Sequence, residues 1–130
     1  MAVLTGLVID DEPMVASFLC EMLELEGVSV DSAPSTAKGI EKLNSGTYDL
    51  VITDLNQEPT GVQVYNYAKS KGVRNIYILT GGGADKLIDE AKKTAGNGLL
   101  TKPINLVVIQ QIIEQAKQRK IAVNDNSSQS

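Results

Sequence analysis

Leu7-Val8-Ile9-Asp10-Asp11-Glu12-Pro13 holds a whole fold unit in seven residues. The apolar run does not alternate with polar residues, as expected of a parallel strand covered on both faces. Three acids follow at its carboxyl end. Pro13 then stands where the first turn of a helix begins, a position that tolerates the missing N–H. Val15, Phe18, Leu19 and Met22 continue at the i, i+3, i+4, i+7 spacing of an amphipathic helix.

The same alternation repeats outward along the chain. The strand runs are Val3–Ile9, Val28–Val30, Leu50–Thr53, Ile76–Leu79 and Leu99–Leu100. Val28–Val30 is the weakest and suits a sheet edge. Helical spacing recurs at Ala33/Thr36/Ala37/Ile40, Gly61/Val64/Tyr65/Ala68, Ala84/Leu87/Ile88/Ala91 and Ile109/Ile112/Ile113/Ala116. Pro34 and Pro103 are read as helix starts, and Gly27, Gly46 and Gly72 as helix ends. Strand–helix alternation of this kind implies right-handed crossovers and an open α/β sheet. A length of 130 residues fits one domain. No repeat or linker divides it. The expectation is one domain over 1–123 and a polar, disordered tail over 124–130.

Composition narrows the chemistry. The chain has no histidine and one cysteine. It therefore cannot form a Ser-His-Asp or Cys-His pair, a histidine-rich zinc site, an internal disulfide or a phosphohistidine. A lone cysteine suits a reducing cytosol, and Cys20 reads as a packing residue. The amino-terminal run has no basic start and ends in acid, unlike a signal peptide. No stretch reaches the roughly 18 apolar residues of a membrane span. A cytoplasmic location without membrane insertion is expected. The formal charge of −4 leaves no overall basic footprint for nucleic acid.

The reactive residues fall at strand ends. Asp10, Asp11 and Glu12 follow the first strand, and Asp54 ends the third. Thr80, with Gly81, Gly82 and Gly83, ends the fourth, and Lys102-Pro103 ends the fifth. Open parallel sheets bind ligands beyond these carboxyl ends, where the strand order reverses. For a flavodoxin-like order 2-1-3-4-5 the first and third strands are neighbours there, and Asp10, Asp11 and Asp54 would then converge. Carboxylates so close raise one another's pKa. An all-oxygen set without imidazole favours Mg²⁺, or Mn²⁺, as the offsetting charge. One carboxylate can then act as a nucleophile toward phosphorus. Lys102 supplies a point charge, Thr80 a hydroxyl, and the glycines unobstructed backbone N–H groups. Singly, each feature has a plainer reading: acids at a helix start, a turn aspartate, a flexible glycine loop, a solvated lysine. Their coincidence at one sheet edge favours phosphoryl chemistry.

Four segments carry a resemblance: LVIDDEP at 7–13, YDLVITDLN at 48–56, ILTGGG at 78–83 and GNGLLTKP at 96–103. Over nearly its whole length the chain resembles the receiver domain of two-component response regulators, of the single-domain chemotaxis kind. The resemblance implies a flavodoxin-like, doubly wound (βα)5 fold with a five-stranded parallel sheet in the order 2-1-3-4-5. It implies that Asp54 accepts a phosphoryl group from a sensor histidine kinase or a histidine phosphotransfer protein. Asp11 would bind Mg²⁺ directly and Asp10 through water, with Asp54 and the Asn56 backbone carbonyl completing the protein ligands. Thr80 and Lys102 would contact the phosphoryl group, and Lys102-Pro103 would be cis. Output would pass to a protein target through the fourth helix, fifth strand and fifth helix, without direct nucleic-acid binding.

The chain departs from the family pattern in three places. Leu99 stands where an aromatic usually turns inward on activation. In LNQEPTG (55–61), Pro59 comes five residues after Asp54 rather than four. Gly81 and Gly82 follow Thr80, and Asn56 and Gly82 occupy the positions that tune phosphoryl lifetime. A receiver-like interaction module without phosphorylation is the main alternative. An aspartate-nucleophile phosphatase of the haloacid-dehalogenase type is a further one, although those place a DxD pair at the first strand.

Overall fold

The inner strands are apolar on both faces because each face is covered by helices. Val8, Leu50, Ile52 and Leu79 pack into one layer with Leu19 and Leu23 and with Ile109, Ile112 and Ile113. Leu7, Ile9 and Val51 point the other way, into a layer with Leu43, Val64 and Ala68. A smaller cluster of Leu55, Val62, Ile78, Ile88 and Ala91 extends that second face.

The computed structural model describes residues 3–82 and 85–129, with side chains described through Ile121. The elements run β1 (Thr5–Ile9), α1 (Pro13–Leu25), β2 (Ser29–Ala33), α2 (Thr36–Ser45), β3 (Leu50–Asp54), α3 (Gly61–Ser70), β4 (Asn75–Thr80), α4 (Lys86–Ala95), β5 (Leu99–Thr101) and α5 (Leu106–Gln129). All pairings are parallel and the sheet order is β2-β1-β3-β4-β5. This is the doubly wound (βα)5 fold read from the sequence, with β2 at an edge. Leu7 pairs with Val51 and Ile9 with Thr53, so the carboxyl ends of β1 and β3 lie side by side. Among the described residues, no helix is long and apolar enough to cross a membrane.

Several local expectations differ from the structure. Ala33 ends β2 instead of opening a helix. β2 continues past Val30 because backbone pairing with β1 holds through Ile9↔Ala33, whatever the polarity of Asp31 and Ser32. Pro34 precedes α2, whose cap is Ser35: its hydroxyl accepts the Lys38 N–H at 3.2 Å. Pro103 does not start α5 either. Asn105 caps it through the Val108 N–H at 3.0 Å. Asp85 caps α4 through the Ile88 N–H at 2.9 Å, and Ala84 lies outside the described residues, as does Gly83. Pro13 is at the start of α1, as read. The helix α5 is assigned through Gln129. The side chains of the expected tail over 124–130 lie outside the described residues.

Candidate functional site

The carboxyl ends of four neighbouring strands bring the candidate residues together. Asp10 directly follows β1, Asp54 and Thr80 are the last residues of β3 and β4, and Lys102 directly follows β5. Asp10, Asp54 and Thr80 are buried at 2%, 6% and 2% exposure, which is rare for carboxylates without partners. Asp11 and Glu12 are exposed beside them.

Lys102 ties this edge together. Its Nζ lies 2.9 Å from Glu12 Oε1, 3.1 Å from Asp10 Oδ2 and 3.3 Å from Asp54 Oδ1. Burial works against its charge, but the close contacts with Glu12 and Asp10 and the negative charges of Asp54 and Asp10 outweigh it, and the pKa rises above the ordinary lysine value. The lysine therefore stays a cation throughout the physiological range.

Asp10 is the most constrained acid. Its backbone N–H donates to the Ala33 carbonyl at 3.2 Å, and its Oδ1 accepts the Glu12 N–H at 2.9 Å. Its Oδ2 is buried and, despite the ion-pair distance to Lys102, has no hydrogen bond among the described residues. Burial raises the Asp10 pKa, opposed by the Glu12 N–H and by Lys102, and the Asp54 charge adds to the rise. Oxygen atoms of Asp10, Asp11 and Glu12 all lie within 4.8 Å of one another. An all-carboxylate set with one buried, unbonded oxygen fits a hard divalent cation. Glu12 takes the third place in this group. Asp54, which the sequence grouped with Asp10 and Asp11, is linked to it through Lys102.

Asp54 is held at both oxygens. Oδ1 accepts the Leu55 N–H at 3.0 Å and a bond from Lys102 Nζ at 3.3 Å. Oδ2 accepts from Gln57 Nε2 at 3.3 Å. The backbone beneath is set by Gly61, the first residue of α3. A Cβ there would come within 2.6 Å of the Asp54 carbonyl oxygen and 2.8 Å of Leu55 Cα, so only glycine lets α3 approach this closely.

The remaining candidates surround this centre. Thr80 Oγ1 accepts the Gly82 N–H at 3.2 Å, and among the described residues its own hydroxyl proton meets no acceptor. Gly82 has φ of +97°, and a Cβ at Gly81 would meet nothing within 4 Å. Asn56 is exposed in the β3–α3 loop. Leu99 is half-buried against the Ile78–Ile88 cluster. The Lys102–Pro103 bond is cis, as is Glu58–Pro59. Sequence reasoning missed the parts played by Glu12, Gln57 and Thr36. Glu12 had a signal, as the third acid of the run; Gln57 and Thr36 had none.

Known proteins share this fold and sequence pattern. The family model described as response regulator receiver domain matches residues 7–114. The transcriptional regulatory protein GlrR of Escherichia coli (strain K12) is 32% identical over 121 residues, covering 92% of this chain and 27% of GlrR. The sensory transduction protein LytR of Staphylococcus haemolyticus is 31% identical over 114 residues, covering 85% of this chain and 44% of LytR. The chain thus spans about a quarter of the length of GlrR and under half of that of LytR. A CheY-like receiver domain protein from Methanospirillum hungatei JF-1 has the same fold at a TM-score of 0.80, with 18% identity over 93% of this chain and 99% of that one. With a family match that covers residues 7–114, most of the chain, the protein belongs to the response regulator receiver domains of two-component signal transduction.

Proposed function

We propose that Asp54 accepts a phosphoryl group, with Mg²⁺ or Mn²⁺ held by Asp10, Asp11, Asp54 and the Asn56 backbone carbonyl, and that this switches a protein-binding surface. One observation carries the reading: a buried Asp54 carboxylate shares Lys102 with an acid group in which one Asp10 oxygen has no hydrogen bond. Bound there, the cation offsets the charge of the carboxylates and of the incoming phosphoryl oxygens.

The chain's own residues supply the rest. An Asp54 carboxylate oxygen forms a bond to phosphorus as the phosphorus–nitrogen bond of a donor phosphohistidine breaks. The bonding pair leaves with the imidazole nitrogen, which takes up a proton. This chain has no histidine, so the donor is a sensor histidine kinase or a histidine phosphotransfer protein. Lys102 stays charged and exchanges a carboxylate partner for a phosphoryl oxygen. Thr80 offers its hydroxyl proton to a second oxygen. Asn56 and Gly82 stand at the positions that tune phosphoryl lifetime in this family. The acyl phosphate then biases two conformations of the domain. Leu99 has no ring to swing, so the readout on the α4–β5–α5 face toward a protein target differs from an aromatic switch. This reading takes residues 1–123 as the receiver and 124–130 as a tail, in the cytoplasm, acting without direct nucleic-acid contact and without turnover of small substrates.

Intact-mass measurement after incubation with acetyl phosphate and Mg²⁺ tests it. The expected outcome is one phosphoryl adduct on the wild type and none on Asp54→Asn. No adduct, or an equal one on both, overturns it.

A further inference from the structure

The Gln57 side chain joins the Asp54 carboxylate to the first turn of α2. Its Nε2 donates to Asp54 Oδ2 at 3.3 Å, and its Oε1 accepts the Thr36 N–H at 2.8 Å. Chemistry fixes this orientation of the amide. A carboxylate only accepts and a backbone N–H only donates, so the amide nitrogen must face Asp54 and the amide oxygen Thr36. Glutamate could not make the same bridge, because it would set two acceptors against each other.

Thr36 is a sensitive place to make this contact. It is the first residue of α2, so its N–H is one of the donors without a partner inside the helix. It is fully buried, and its hydroxyl donates to the Pro59 carbonyl at 2.6 Å. Two bonds from Thr36 therefore tie the first turn of α2 to the loop that follows Asp54. That loop is where Pro59 stands one position later than the family pattern has it, and Gln57 lies within the altered segment.

We propose that Gln57 is a positioning residue that transmits the state of Asp54 to the amino-terminal turn of α2, making that turn a second responding surface besides the α4–β5–α5 face. The inference rests on the reading of Asp54 as phosphoacceptor. A group added to the carboxylate changes the charge and crowding at Oδ2. The Gln57 amide must then shift or weaken its bond, and its other end moves the Thr36 N–H. The route is short, and it does not involve Leu99.

The test is the amide spectrum of the full chain, wild type and Gln57→Leu, with Mg²⁺ and then beryllium fluoride as the phosphoryl mimic. Gln57→Asn, whose shorter amide cannot reach both partners, is the second variant. The wild type should show shifts at Leu55 and Gly82 beside the site and at Thr36 as well. In both variants the Leu55 and Gly82 shifts should persist while the Thr36 shift is lost. A silent Thr36 in a wild type whose Leu55 responds overturns the proposal alone, as does an undiminished Thr36 shift in the variants. A wild type in which Leu55 is silent too overturns the Asp54 reading, and this inference with it.

Discussion

Lys102 Nζ bonds Glu12 Oε1 at 2.9 Å across a separation of 90 residues, and in doing so closes the acid group beside Asp54. One cation thus faces three carboxylates, two of them buried. The lysine side chain is only 16% exposed and those of Asp10 and Asp54 are 0% and 8%, so these two pairs are shielded from solvent, while Glu12 sits at the surface.

Removing that cation should be costly at neutral pH. Lys102→Met is expected to lower stability by about 3 kcal/mol, the low end for an unpaired buried charge, since Glu12 is exposed. The loss should shrink as pH falls and Asp10, whose pKa is raised by burial, takes up a proton. In the wild type the sign at high pH is opposite to that of a carboxylate. The folded Lys102 pKa lies above the ordinary 10.5, so its contribution is complete below 10.5 and is lost as pH climbs above that value. Denaturant titrations of both proteins across pH check both parts.

Divalent cations should stabilise the fold. At a hundred times Kd, Mg²⁺ is expected to add about 2.7 kcal/mol, read as a rise in Tm. Asp11→Asn should abolish most of that rise. Without Mg²⁺ the same variant should be at least as stable as the wild type, because it removes one of three carboxylates whose oxygens crowd within 4.8 Å. Calorimetry with and without a chelator separates the two effects.

Gly61→Ala should damage the site through the backbone. Its Cβ would meet the Asp54 carbonyl at 2.6 Å and Leu55 Cα at 2.8 Å, and neither is the end of a flexible side chain. A loss of about 2–3 kcal/mol is expected from this overpacking, together with slower phosphoryl uptake as Asp54 is displaced. Thermal melts and the acetyl phosphate mass assay read the two consequences.

Tyr48 should titrate late. Burial, and then the Asp31 carboxylate that accepts its hydroxyl proton at 2.8 Å, push its pKa up to about 12. The folded state holds the phenol proton more tightly than the unfolded chain, so this contribution to stability falls as pH rises from 10.0 to about 12. Asp31→Asn should lower the midpoint. Ultraviolet difference titration of the wild type against Asp31→Asn isolates it, since the chain has no tryptophan and the other tyrosines are common to both proteins.

The parallel α/β sheet was legible in the sequence because it depends on local patterns, whereas the strand order came from the family resemblance. Apolar runs such as Leu7–Ile9 and Leu50–Thr53 report strands covered on two sides, and the spacing in between reports helices. Asp10, Asp54, Thr80 and Lys102 were legible for a related reason: each stands at or just past the end of a strand, and a parallel sheet gathers such ends at one edge. Prolines misled where a polar neighbour capped better, as Ser35 does after Pro34 and Asn105 after Pro103.

The contacts that shape the site had no such local sign. Glu12 reaches Lys102 across 90 residues, and Gln57 reaches Thr36 across 21. Neither pairing follows from spacing, because each depends on the path of a loop and on a side-chain rotamer that settles only after the sheet has closed. Residue type and strand position say which groups arrive at the edge. Packing in three dimensions assigns their partners: Lys102 to three carboxylates, Asp10 Oδ2 to no hydrogen bond, and Gln57 to both Asp54 and the first turn of α2.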